Sequence, residues 1–185
     1  MLEYLHEEGM SIEPDYYVPI IPLVLVNGSE GIGTGWSSTI PQYSPLDIIA
    51  NLRRRLKQPN APFERMAPWY RGFCGTTTYN SEKNSYTYHG EYKVTGADRL
   101  EISELPIRKW TRDYKNFLEV LAQNDEIDDI KEFHKDNTVK FVLTIPNLKE
   151  IMEEEGGIPK KFNLQTSMSM NNMVLFNQEE KIKKY

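Results

Sequence analysis

Residues 27–36 read Asn-Gly-Ser-Glu-Gly-Ile-Gly-Thr-Gly-Trp, and four of the eight positions from Gly28 to Gly35 are glycine. Because glycine has no Cβ, this backbone can adopt positive φ angles and can lie close to another molecule. Ile32 is the single large apolar side chain between these glycines, so its immediate neighbours cannot pack around it. It either fills a hole in the core of the domain or projects toward a partner as a wedge.

The glycine-rich stretch does not match known phosphate-binding loops. Leu23–Val26 predicts a buried strand leading into it. The P-loop pattern fails because Thr34 occupies the position of its lysine. The dinucleotide fingerprint and the kinase-type glycine loop fail because Trp36 stands where a third glycine is needed. Glu30 would also repel a phosphate, so we do not expect nucleotide binding here.

A bare glycine cluster is more often a tight turn without a further role, but the flanking sequence argues otherwise. Residues 13–22 read Glu-Pro-Asp-Tyr-Tyr-Val-Pro-Ile-Ile-Pro, and residues 36–41 read Trp-Ser-Ser-Thr-Ile-Pro. Together with the glycine stretch they resemble the DNA-gate region of eukaryotic-type type II DNA topoisomerases (type IIA), just downstream of the winged-helix domain. The block at residues 101–111, Glu-Ile-Ser-Glu-Leu-Pro-Ile-Arg-Lys-Trp-Thr, resembles the same family.

The resemblance continues through residues 160–167, 172–176 and 183–185 and is weakest in the tyrosine-rich and acidic segments. It implies that residues 1–43 are the C-terminal part of the winged-helix region with the DNA-wedge loop, and that residues 44–185 are the tower domain. It also implies that the chain begins inside a longer protein, so that Met1 is not a natural start.

In that family the full enzyme uses ATP and Mg²⁺ to pass one duplex through a transient double-strand break. The resemblance implies that this chain binds and bends double-stranded DNA in the nucleus, within a homodimer and beside the other domains of the same enzyme. The family's nucleophilic tyrosine follows an arginine, and no Arg-Tyr pair occurs here. We expect no catalytic, metal-binding or cofactor-binding residue in this chain, and no cleavage, relaxation or ATPase activity from it alone.

The resemblance places Ile32 at the family's intercalating position, with Gly31, Gly33 and Thr34 beside it at the DNA. Some family members carry lysine just before the Ile-Pro that follows the tryptophan. Thr39 stands there in this chain, which removes one candidate backbone contact.

Four cations are predicted to contact DNA phosphates: Arg71, Arg108, Lys109 and Lys160. Arg71 stands in an aromatic loop, residues 68–75, where the family has lysine. Arg108 and Lys109 precede a predicted helix, and cations at a helix N-terminus oppose its dipole, so an anionic partner explains them better than a structural role. Lys160 begins one of the family blocks. The cations among residues 53–57 are a further candidate for phosphate contact.

The composition limits the classes of protein. The formal net charge of −5 means that DNA contact has to come from local basic patches. A lone Cys74 excludes an intrachain disulfide and fits a reducing compartment. No apolar run has the length of a membrane span.

Strand and helix patterns predict an α+β fold. Residues 76–80, 85–94 and 138–145 read as strands of a mostly antiparallel sheet lying between Gly75 and Ile145. Tyr86, Tyr88 and Tyr92 are expected on one face. Helices are predicted to start near Pro45, Thr111 and Pro146.

An interpretation from another class is a protein-interaction domain that docks a polypeptide through Ile32 and the aromatic loops. Salt separates the two, because phosphate-mediated binding weakens steeply with salt and an apolar interface does not.

Overall fold

The computed structural model describes residues 2–185, so the expectation about Met1 lies outside the described residues. These residues form five helices and thirteen strands. The helices are α1 (Leu23–Asn27), α2 (Pro45–Lys57), α3 (Thr111–Gln123), α4 (Leu148–Glu153) and α5 (Gly157–Lys161). The strands are β1 (Tyr4–Glu7), β2 (Met10–Pro14), β3 (Ser29–Gly33), β4 (Trp36–Ile40), β5 (Thr76–Asn80), β6 (Ser85–His89), β7 (Glu91–Val94), β8 (Arg99–Glu104), β9 (Asp129–Glu132), β10 (Phe141–Thr144), β11 (Gln165–Ser169), β12 (Val174–Phe176) and β13 (Ile182–Lys184).

The larger core lies on one face of a four-stranded antiparallel sheet with the order β7-β8-β10-β9. Alternate residues of a strand point to the same face, and the alternate residues Ile102 and Leu100 of β8 are fully buried. Helices α3, α4 and α5 supply buried side chains to the same cluster, including Leu118, Ile151 and Ile158. We call this cluster the main core.

A second core lies against a three-stranded antiparallel sheet with the order β11-β6-β5. Tyr86 and Tyr88 of β6 are buried in it together with Met168 of β11 and Ile48 of α2. Residues of α1, among them Leu25, also pack against this cluster. The segment before residue 44 therefore contributes to this core, and the two-part division at that residue stays a prediction.

The predicted α+β class with mostly antiparallel strands is confirmed, but the strands form several sheets rather than one. The division falls at Gly90, which separates β6 from β7. A Cβ at Gly90 would lie 2.4 Å from the Glu104 carbonyl oxygen, so only glycine allows this close approach. Strand β11 also lies outside the predicted range and completes the second sheet.

The predicted row of three tyrosines is wrong for Tyr92. Tyr86 and Tyr88 share the buried face of β6, whereas Tyr92 lies on β7 in the other sheet and is partly exposed. The alternation of tyrosines continues across Gly90, so it predicted one strand. Such alternation does not reveal that the chain passes from one sheet to another at this glycine.

The predicted strand at Leu23–Val26 is also wrong, since these residues belong to helix α1. The amide groups of Leu25 and Val26 donate to the Pro22 carbonyl, and Gly28 ends the helix with a φ of 68°. A short apolar run fits a strand or a buried helical turn equally well. Packing against the second core selects the helix.

The predicted helix starts are confirmed for α2 and α3, and α4 begins two residues after Pro146. Ser44 occupies the N-cap position of α2, although its side chain makes no capping hydrogen bond. Within α2 Ile48 is buried, whereas Leu56 near the end of the helix is 83% exposed. No helix in residues 2–185 combines the length and apolar content needed to cross a bilayer.

Candidate nucleic-acid interface

The glycine-rich stretch folds into a β-hairpin of β3 and β4, which we call the glycine hairpin (residues 29–40). Gly33 pairs with Trp36, and Ile32 pairs with Ser37, so Thr34 and Gly35 form a two-residue turn. Gly35 has a φ of 77°, a conformation that glycine adopts without strain.

Ile32 projects from the tip of the glycine hairpin and is 93% exposed. A Cβ added at Gly31 would meet no atom within 4 Å, so the surroundings of the tip are open. Ile32 therefore does not fill a hole in this domain's core, which excludes that alternative. A β-branched residue is stiff about χ1, so the exposed side chain has few conformations to lose on contact.

The base of the glycine hairpin is held closely. A Cβ at Gly28 would lie 2.7 Å from the Ile40 carbonyl oxygen, and the positive φ of Gly28 already favours glycine. The Gln42 side-chain amide donates to the Asn27 carbonyl at 3.0 Å, and Ile40 is buried. The hairpin thus leaves the domain from a fixed base.

Strand β4 is further bound to the C-terminal hairpin of β12 and β13. The Thr39 amide donates to the Asn172 carbonyl at 2.8 Å, and the Val174 amide donates to the Ser38 hydroxyl at 3.1 Å. The Asn172 side-chain amide donates to the Ser37 hydroxyl at 2.9 Å. Thr39, where some family members have lysine, therefore uses its backbone to hold the hairpin.

An apolar surface lies beside the tip. Trp36 and the exposed Phe176 line a shallow groove between the glycine hairpin and the C-terminal hairpin, together with Val174 and Ile182. Val174, Phe176 and Ile182 were not predicted as site residues, because β12 and β13 are far from the glycine stretch in sequence.

Three of the four predicted cations line one groove, which we call the cationic groove. Arg71 comes from the aromatic loop, and Arg108 and Lys109 come from the segment between β8 and α3. The Thr166 hydroxyl donates to the Ile107 carbonyl at 2.8 Å and holds that segment against β11. Lys160 lies on α5 and does not line this groove.

Arg108 joins the cationic groove to the glycine hairpin. Its guanidinium donates to the Glu30 carboxylate at 2.8 Å, and the two residues lie 78 positions apart in sequence. Sequence reasoning treated Glu30 only as an obstacle to phosphate and did not pair it with Arg108. No local signal could have found this contact.

Tyr70 connects the cationic groove with the second core. Its hydroxyl lies 3.3 Å from that of Tyr88, and the two rings meet edge to face. Burial raises the pKa of Tyr88, and the hydrogen bond with Tyr70 raises it further.

Two of the four cations in the basic run of α2, Arg54 and Arg55, are occupied by contacts within the chain. Arg54 pairs with Glu64 and contacts the Asn51 amide oxygen. Arg55 donates to the Ala61 carbonyl at 2.7 Å and stacks on Phe63. These contacts hold the segment after α2 against the helix, so Arg54 and Arg55 have a structural role.

The acidic stretch, residues 125–132, forms an ion pair with α3, between Glu132 of β9 and Lys115 at 2.6 Å. The hydrogen bond from Lys115 holds the pKa of Glu132 below its usual value. Within residues 2–185 no group of three or more His, Cys, Asp or Glu side chains is arranged to hold a metal ion.

Comparisons with known proteins place this geometry in context. The family model that matches residues 1–185 describes the A subunits of DNA gyrase and topoisomerase IV. The chain is 44% identical to DNA topoisomerase 2 of Arabidopsis thaliana and 42% identical to human DNA topoisomerase 2-alpha, and each match covers 100% of the chain. It spans 13% of the Arabidopsis protein and 12% of the human one.

A solved structure has the same fold. The DNA-binding, cleavage and re-ligation domain of Plasmodium falciparum topoisomerase II matches the whole chain with a TM-score of 0.84 and 42% identity. The match covers 25% of that longer chain.

Proposed function

This chain belongs to the DNA gyrase/topoisomerase IV family, and we propose that it is the DNA-binding and DNA-bending part of the DNA gate of a type II DNA topoisomerase. The observation that carries the proposal is Ile32, an apolar side chain 93% exposed at the tip of a hairpin with a fixed base. An apolar residue held in water at this position contributes little to the fold, so a contact outside the chain explains it best.

In the proposed mechanism, Ile32 inserts between base pairs of the bound duplex and kinks it. Gly31 and Gly33 on either side, followed by Thr34, leave room for the hairpin backbone to approach the groove. Unstacking a base step costs a few kcal/mol and accompanies bends of tens of degrees, and the contacts that a bent duplex makes offset the cost. The hydrogen bonds between β4 and residues 172–174 would hold the hairpin in place while Ile32 inserts.

Arg71, Arg108 and Lys109 would contact the backbone phosphates on one side of the wedge, because they share the cationic groove that Arg108 links to the hairpin. Lys160 lies apart on α5 and would contact a different stretch of the backbone. Such contacts are independent of base sequence and carry a steep salt dependence. Arg108 has to exchange its bond with Glu30 for one with a phosphate.

The residues of this chain do not fit Mg²⁺ or ATP. The part of the chain that the structure describes has no metal-binding cluster, and Thr34 replaces the lysine of a phosphate loop. We propose that other domains of the enzyme bind both and carry the nucleophilic tyrosine. The chain would act within a nuclear homodimer and be inactive in cleavage, relaxation and ATP hydrolysis by itself.

The experiment that tests the proposal measures bending of a doubly labelled duplex by the full-length enzyme, using resonance energy transfer between the duplex ends. With Ile32→Ala we expect clearly reduced bending and unchanged thermal stability of the protein. Leu46→Ala is the matched control, because Leu46 is an exposed apolar residue of α2 and not part of the glycine hairpin. Normal bending by the Ile32 variant would reject the wedge, and loss of a protein partner with normal DNA binding would support the interaction domain instead.

A further inference from the structure

The face of the four-stranded sheet that points away from the main core is open to solvent, and we call it the outer face. In the pairing register Val142 of β10 lies between Glu101 of β8 and Lys131 of β9. Thr144 lies between Arg99 and Asp129 in the next row. Because alternate residues share a face, these side chains stand opposite the buried Leu100, Ile102 and Leu143.

The outer face is basic although the chain as a whole carries a net charge of −5. Its cations come from β7, β8 and β9, from the turn after β9 and from the residue before β10. They are Lys93, Arg99, Lys131, Lys135 and Lys140. The two rows of this face carry two carboxylates, Glu101 and Asp129, and each already pairs with a lysine of the face. Glu91, at the far end of β7, instead accepts a hydrogen bond from Thr76 of the second sheet.

Three of these cations have no carboxylate within ion-pair distance among residues 2–185, namely Lys93, Arg99 and Lys135. All three are exposed. Charges of one sign that are left unpaired on one surface repel each other, and an anion that binds there relieves the repulsion. The threonines Thr95 and Thr144 add hydroxyl donors to the same surface.

The chemistry favours a phosphate backbone over an acidic peptide. Apolar side chains on the outer face are restricted to Phe133 at its edge and the half-buried Val142. Peptide recognition usually needs apolar anchors in pockets besides charge. A row of phosphates needs only cations and hydrogen-bond donors on a broad surface, which this face provides.

We propose that the outer face is a second binding surface for the phosphate backbone of duplex DNA, separate from the cationic groove and the glycine hairpin. The proposal rests on the proposed function, since it assumes that DNA is the polyanion that meets this chain. Lys93, Arg99 and Lys135 contact the phosphates directly. Lys131 and Lys140 already form ion pairs with Asp129 and Glu101, so they contribute less to phosphate binding.

The test replaces Arg99 and Lys135 together with glutamine in the full-length enzyme and measures DNA affinity against salt concentration with a labelled duplex of mixed sequence. Each phosphate contact contributes about 0.9 to the slope of log affinity against log salt, so the double variant is expected to lower the slope by about two units. Lys93→Gln with Lys135→Gln is a second variant with the same expected result. Thermal melting verifies that each variant folds.

The matched control removes the same charge elsewhere, with Lys83→Gln in the turn before β6 and Lys149→Gln on α4. Both lysines are exposed and have no ion pair among the described residues. If the control lowers the slope as much as the outer-face variants, net charge alone is responsible and the proposal is overturned. It is also overturned if the outer-face variants keep the full slope on DNA and lose binding to a glutamate-rich peptide.

The result separates this proposal from the proposed function. A wild-type enzyme without salt-dependent DNA binding would count against both. A normal salt slope in the outer-face variants, combined with reduced bending by the Ile32→Ala enzyme, would overturn the outer face alone.

Discussion

The glycine hairpin and the four-stranded sheet are both antiparallel β-structure, yet an isoleucine is exposed in the first and buried in the second. Ile102 of β8 is fully buried, with β7 and β10 on its two sides and α3 in the same core, whereas Ile32 is 93% exposed. Burying an isoleucine side chain contributes roughly 1.5–3 kcal/mol to stability. The sheet gains this energy within the chain, and the hairpin leaves it available for a contact outside.

Truncating both isoleucines tests this difference most directly and should give the largest effect on stability. Ile102→Ala should lower the free energy of unfolding by about 2–5 kcal/mol, because it leaves a cavity in a packed core. Ile32→Ala should change it by less than about 0.5 kcal/mol, as for an exposed site. Chemical denaturation of the two variants measures both values. A similar loss from both variants would mean that Ile32 is structural.

Replacing a glycine with alanine should likewise destabilise the protein at the sheet and have little effect in the hairpin. Gly90→Ala places a Cβ 2.4 Å from a backbone oxygen and 3.1 Å from Pro106, so we expect a loss of about 1–3 kcal/mol from overpacking. Gly31→Ala is the control in the hairpin, where a Cβ meets no atom within 4 Å. Thermal melting separates them, and a stable Gly90→Ala protein would show that the junction between the sheets can move.

Alkaline pH should lower the stability of the protein, because the two cores contain buried tyrosines. Burial raises the pKa of Tyr43 to about 12 and also raises the pKa of Tyr88 and Tyr114. In the unfolded chain the pKa of tyrosine is about 10. Above that pH the unfolded state therefore binds fewer protons than the folded state. Stability is therefore complete below about pH 10 and is lost as pH rises toward about 12, by up to ~1.4 kcal/mol per pH unit for each group.

Melting temperatures recorded across this alkaline range give the slope for the wild-type protein. Tyr114→Phe removes one of the titrating groups and should make the slope shallower. The variant also loses the hydrogen bond from Tyr114 to the Phe162 carbonyl, so its stability at neutral pH has to be subtracted first. An unchanged slope would show that the pKa of Tyr114 is the same in the folded and the unfolded protein.

The smallest expected effect concerns the contact that joins the hairpin to the cationic groove. Glu30→Gln frees Arg108 for phosphate, and exposed ion pairs of this kind are worth about 0.2–1 kcal/mol. We expect an increase in DNA affinity of up to about fivefold with little change in stability. Glu64→Gln removes the same charge beside Arg54 and serves as the control. Weaker DNA binding by the Glu30 variant would show that the pair orients the hairpin for binding.

Much of the fold followed from local patterns. The start of α2 was readable from Pro45 and that of α3 from Thr111. Strand β5 has the predicted bounds. The failures lie where a local pattern fits two structures, as in the apolar run that became α1, or where a strand pattern continues through Gly90 into another sheet.

The sequence by itself determined the α+β class and the family, because each depends on residue types at fixed short spacing. Tertiary structure alone decided which cations are available. Arg108 is held by Glu30 from 78 positions away, and Arg54 is held by Glu64 on the segment after its helix. Exposure of Ile32 and the basic outer face were decided in the same way, since both depend on what packs against each surface and not on the residues next to it in the chain.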